Sequence, residues 1–207
     1  MKTTLLTIAL CGFAFVLTGC GGPATQNIDM ENDTGGAVME LDYRDFQDAA
    51  SAMVQSLLQS GKLQKKDGSR YVVTTGQIIN DTEQHIDKDQ LMATIEEDLM
   101  NSGQVVMTSA VGGKGASDEM VYQMRDLKEG DRADEFKADT LPKKGQLVAP
   151  ELSISGKILQ RNISYNRKTQ QVEYYFQLQV TEIASGLRFW QEQKLIGKRG
   201  SKKATPW

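Results

Sequence analysis

Apolar residues fall into two kinds of spacing along this chain, and the spacings lay out its elements. Over residues 42–60, Phe46, Ala49, Ala50, Met53, Val54, Leu57 and Leu58 recur at intervals of three and four, one face of a helix that Gly61 stops. Residues 70–79 are β-branched and aromatic (Tyr71, Val72, Val73, Thr74, Thr75, Ile78, Ile79) and run into the turn-forming pair Asn80-Asp81, which predicts a largely buried strand. Helical spacing returns with Leu91, Met92, Ile95, Leu99 and Met100. Asp87 caps this second helix with Gln90 reaching back to it, and Gly103 ends it. Residues 104–110 read as a short strand, residues 111–116 as a Gly-rich loop, and Ser117 as the cap of a third helix. Residues 118–139 hold eight acidic and four basic side chains and few apolar ones, so this helix and its sequel belong to the surface.

The last third alternates. Residues 152–165, 171–182 and 187–196 predict three strands joined by turns at residues 166–169 and 184–186, an antiparallel meander. In the middle strand Val172, Tyr174, Phe176, Leu178 and Val180 alternate with Gln171, Glu173, Tyr175, Gln177 and Gln179, so one face packs on helices and the other meets water. The apolar phase slips between Ile158 and Leu159, which predicts a bulge there. The expected fold is α/β (α+β): a mixed sheet of four to five strands ending in the meander, helices mainly on one face, in one domain over residues 41–207.

The wet sheet face holds the candidate partner-binding residues. Glu173, Tyr175 and Gln177 line it, and Arg161, Tyr165 and Arg167 belong to the adjoining hairpin tip. Aromatic and arginine side chains mixed in this way anchor protein interfaces. Lys194, Lys198, Arg199, Lys202 and Lys203, with Trp207, close the chain as a small basic tail set against the acidic middle.

The amino-terminal pattern is of another kind. Lys2 precedes an apolar run over residues 5–17 that is too short for a good transmembrane helix and has the anatomy of a secretory signal. Leu17-Thr18-Gly19-Cys20 resembles the lipobox of bacterial lipoproteins, which implies cleavage before Cys20 and acylation of that cysteine. Acyl chains buried at ~0.8 kcal/mol per methylene make release from a bilayer very slow. Gly21 follows where an Asp would imply retention in the inner membrane, so the expected location is the outer membrane, facing the periplasm. Residues 20–40 are rich in Gly, Asn, Asp and Thr and read as a lipidated flexible tether with a reach of at most roughly 60–70 Å.

Composition excludes more than it suggests. The net charge is -3, and -4 once residues 1–19 and Lys2 with them are removed, so no global field favours nucleic acid. Cys11 and Cys20 are the only cysteines; one leaves with the signal and the other carries lipid, so no disulfide is expected. His85, the one histidine, sits among Asn80, Asp81, Glu83 and Asp87, but such loop residues cap helices and make turns, and no metal or other cofactor is expected. Glu96, Glu97 and Asp98 are consecutive on a helix, point in different directions, and read as a solvated face rather than a catalytic pair. The loop at residues 112–116 lies between strand and helix, where anions bind backbone amides, but it lacks the phosphate-loop spacing and reads as a connector. No enzyme activity is expected.

Several local phrases together resemble the LpoB family of outer-membrane lipoproteins. They are Leu41-Asp42-Tyr43 opening the first helix, Asn80-Asp81-Thr82, Asn101-Ser102-Gly103, Met107-Thr108-Ser109-Ala110, Ile154-Ser155-Gly156-Lys157, and Gly186-Leu187-Arg188-Phe189-Trp190. The resemblance implies a periplasmic domain, similar to the amino-terminal domain of the Tol system's β-propeller protein and to curli-secretion lipoproteins. That domain would bind and activate a class A penicillin-binding protein, a bifunctional peptidoglycan synthase. Enterobacterial members carry a long Pro-rich segment where this chain has its short tether. The alternative is a structural or secretion-linked outer-membrane lipoprotein that self-assembles. Membrane-spanning hairpins would need strands of about 9–11 residues with apolar outward faces; the Gln- and Glu-rich face of the meander ranks pore formation low, and a monomer is favoured.

Overall fold

A computed structural model describes residues 27–29, 32, 35–112 and 118–204. The chain divides after Gly35, and the folded elements all belong to the unit Gly36–Trp207. The signal, Cys20, Ser117 and most of the Gly-rich loop lie outside the described residues.

Helix α1 (Tyr43–Gln59) begins at Asp42, whose carboxylate accepts the Asp45 N–H while the Asp45 carboxylate accepts the Asp42 N–H, a reciprocal capping box. Ala49, Ala50, Met53, Val54 and Leu57 form its buried stripe, and Gly61 ends it at φ 68°. Strand β1 (Tyr71–Asp81) continues through Asn80-Asp81 rather than turning there, because both residues stay paired to the sheet: Asn80 faces Ile158 and Asp81 faces Leu159. Helix α2 (Lys88–Asn101) is capped by Asp87, which accepts from the N–H groups of Asp89 and Gln90. Strand β2 is only Val105–Met107; beyond it the Thr108 hydroxyl accepts the Ala110 N–H and bends the chain away. Helix α3 (Met120–Glu129) starts after Asp118, whose carboxylate accepts the Met120 N–H. None of its residues is buried. The meander is β3 (Leu152–Ser164), β4 (Thr169–Glu182) and β5 (Arg188–Ser201).

The five strands form one mixed sheet in the order β2-β1-β3-β4-β5, parallel from β2 to β3 and antiparallel through the meander. α1 and α2 pack on one face. There Val172, Tyr174, Phe176, Leu178 and Val180 of β4 are all buried, and the Phe46 ring meets Phe176 edge-on at 5.6 Å. Burying each such side chain stabilises by roughly 1.5–3 kcal/mol, so this strand is the spine of the core.

Two expectations are corrected. β3 and β4 pair without interruption from Leu152↔Glu182 to Ser164↔Gln170, so no bulge lies at Ile158 and Leu159. The phase slip arises because Leu159 lies on the opposite face, opposite Tyr175. The irregularities lie elsewhere, between Thr75 and Ile78 of β1 and between Val180 and Thr181 of β4. In the first, a Cβ on Gly76 would meet the Ile154 carbonyl at 3.1 Å, which is why glycine fits. The basic tail is no tail: Lys194, Lys198 and Arg199 belong to β5, and Lys198, 9 % exposed, is ion-paired with Asp45 of α1.

Candidate functional site

The sheet face away from the helices gathers the candidate residues in adjacent rows. Register places Leu159, Tyr175 and Leu195 side by side across β3, β4 and β5, and in the next row Arg161 opposite Glu173. The Tyr175 hydroxyl donates to Glu173 Oε2 at 2.7 Å and Gln171 Nε2 donates to its other oxygen at 2.9 Å. These bonds, with the nearby Arg161 charge, hold the Glu173 carboxyl below its ordinary pKa. The same Glu173 bond raises the Tyr175 phenol, so the pair stays carboxylate and phenol at neutral pH.

At the hairpin tip Tyr165 is 56 % exposed, and the Arg199 guanidinium lies 4.1 Å over its ring. Arg199 also donates to Gln171 Oε1 at 2.6 Å, which links tip and row into one hydrogen-bonded group. Arg167 is exposed at the turn, where the Asn166 side chain accepts from the N–H groups of Lys168 and Thr169. Gln177 sits one row beyond Tyr175 and donates to Gln193. Thus Arg161, Tyr165, Glu173 and Tyr175 share one patch, and Gln177 and Arg167 mark its two ends. Sequence reading missed Arg199 and Leu195 as members. Leu195 is 52 % exposed at the patch. Glycines at 197 and 200 hid the continuation of β5, although alternation of Arg199 with buried-side Lys198 was a signal for it.

The patch lies at the end where the chain enters the fold. Thr169 pairs with Ser201, and Met39 packs against Gly200, its sulfur 2.6 Å from where a Cβ would stand. The entry is stitched down: the buried Tyr174 hydroxyl donates to the Met39 carbonyl at 3.0 Å, Gln84 donates to that hydroxyl, and the Leu41 N–H donates to Gln84 Oε1. Burial pushes the Tyr174 phenol well above its ordinary pKa, so it remains a donor.

Elsewhere the chemistry is sparse. Among the described residues no group of three or more His, Cys, Asp and Glu is placed to hold a metal ion, and no helix is long and apolar enough to cross a membrane. The carboxylates Glu96 and Asp98 are half-buried rather than solvated: Asp98 accepts from Ser51 at 2.8 Å, and burial raises Glu96.

A mixed sheet backed by two helices, with a polar and aromatic face left open, defines the class: an α+β domain. The chain belongs to the LpoB family, peptidoglycan-synthase activator LpoB, whose model matches residues 45–196. It is similar in structure to the LpoB C-terminal domain from Escherichia coli, with 15% identity over 73% of this chain and 98% of that one, TM-score 0.42. It is also similar to E. coli LpoB as solved by NMR, at 13% identity over 98% of this chain and 90% of that one, TM-score 0.38. Lipoprotein GNA1162 from Neisseria meningitidis is a third, at 7% identity over 64% and 85%, TM-score 0.34. No curated protein matches the chain.

Proposed function

We propose that this protein is an acylated, outer-membrane-anchored periplasmic lipoprotein that binds a class A peptidoglycan synthase and raises its activity. Membership of the activator family over residues 45–196 is the observation that carries the reading. The lipobox at Leu17-Thr18-Gly19-Cys20 supports the anchor, with residues 20–40 as tether and residues 41–207 as the acting domain. The patch of Arg161, Tyr165, Glu173 and Tyr175, with Arg167 and Gln177 at its ends, is the docking surface we assign. Tyr165, Glu173 and Tyr175 are already held in one group with Gln171 and Arg199, so little of their conformational freedom is lost on binding.

The protein itself makes and breaks no bond in this reading. It binds the active conformation of the synthase better than the resting one, a coupling of roughly 1–3 kcal/mol, or 5–150-fold. Glycan polymerisation by the cognate synthase, followed with and without the lipoprotein, is expected to rise within that range. An unchanged rate together with no measurable association would remove the proposal.

A further inference from the structure

A groove on the helical side of the domain takes no part in that reading. Its volume is about 550 Å³, within the roughly 300–1,000 Å³ common for ligand sites. The segment 40–43, the loop between β1 and α2, and the first turns of α2 wall it. Its floor is apolar, made by Leu41, Ile86 and Leu91 with Phe46 at the side.

The rim is acidic. Glu40, Asp42, Glu83 and Asp87 border the groove, and no lysine or arginine lines it. Asp42 is neutralised by Arg44 at 2.9 Å. Glu83 is held instead by the neutral amides of Gln160 and Asn162, at 3.2 and 3.0 Å. Asp87 accepts backbone N–H groups at the start of α2. Among the described residues, then, Glu40, Glu83 and Asp87 stand without an ion pair around an apolar trough.

We infer that this groove docks a basic amphipathic peptide segment, its apolar side chains on the floor and its lysines or arginines among the rim carboxylates. Charge complementarity selects that occupant. A neutral segment would partly desolvate three carboxylates without bringing a cation to offset it, and an acidic one would be repelled. Burial on the floor supplies affinity, whereas the exposed rim sets the choice of partner and the association rate. The inference stands whether or not the synthase reading does.

The test is fluorescence anisotropy of the full-length protein with a short labelled peptide of leucine and lysine at helical spacing. Glu83→Lys should weaken binding by about tenfold or more, and Thr94→Trp, which fills the groove from its wall, should do the same without changing charge. Asp139→Lys, an equal charge change at an exposed position that lines neither the groove nor the sheet patch, should leave binding within about twofold. A leucine-glutamate peptide should not bind. No binding of the leucine-lysine peptide, equal losses in Glu83→Lys and Asp139→Lys, or full affinity in Thr94→Trp would each overturn the assignment.

Discussion

Tyr174 shows how much one side chain carries in this fold. Its ring is fully buried in the sheet core, and its hydroxyl is the only bridge from the core to the Met39 carbonyl and the Gln84 amide among the described residues. Tyr174→Phe keeps the ring and strands both partners, at a cost of roughly 1–3 kcal/mol. Urea unfolding should show that loss, and amide exchange at Leu41 should accelerate; unchanged stability would mean that the stitch is idle. Glu151 is a second case. It accepts both from Lys65 at 2.7 Å and from the Val72 N–H at 3.1 Å, and the Lys65 bond above all holds its carboxyl below the ordinary 4.5. Because the folded value lies below the unfolded one, the stabilisation is present above the ordinary carboxylate range and is lost as pH falls through the lowered value. Glu151 is 43 % exposed, so Glu151→Gln should cost at most about 1 kcal/mol at neutral pH. Thermal unfolding across pH should show the difference from wild type closing in acid, and a constant difference would contradict it.

Among the elements, β3 and β4 are the least tolerant of change. A Cβ on Gly156 would stand 2.5 Å from the Gln177 carbonyl, a backbone atom that cannot step aside without parting the strands. Gly156→Ala should therefore destabilise by about 1–3 kcal/mol, seen as a lower melting temperature with the same spectrum of the folded state. How far the elements were legible follows from the same physics. Both long helices and the middle strand announce themselves, since their apolar stripes have one period from end to end and Asp87, Gly61 and Gly103 are local signals, whereas the Asp42 cap emerged only in the structure. What was misplaced depends on partners distant in sequence. β1 runs through Asn80-Asp81 because β3 holds it, β5 runs past Ile196 because β4 holds it, and Leu159 looks out of phase only until Tyr175 is set opposite. The patch was half legible for that reason: Glu173 and Tyr175 lie on a strand with clean alternation, Arg161 lies beyond the phase slip of β3, and Arg199 lies where two glycines blur the pattern.

For the molecule as a whole, placement gives the parts their meaning. The proposed docking patch and the Met39–Gly200 contact share one end of the sheet, while the acidic groove opens beside residues 40–43. In the proposed reading the domain meets its synthase with this end, so the reach of residues 20–40 limits which partners it can touch. Polymerisation of lipid-linked glycan by the cognate class A synthase, with wild-type lipoprotein compared with the double variant Arg161→Glu and Tyr175→Ala, tests this most directly. Wild type should raise the rate, and the folded variant should lose most of the stimulation, a change of about 2 kcal/mol or more when interface anchors are removed. Equal stimulation by both proteins would contradict the placement of the docking surface, and stimulation by neither would contradict the account itself.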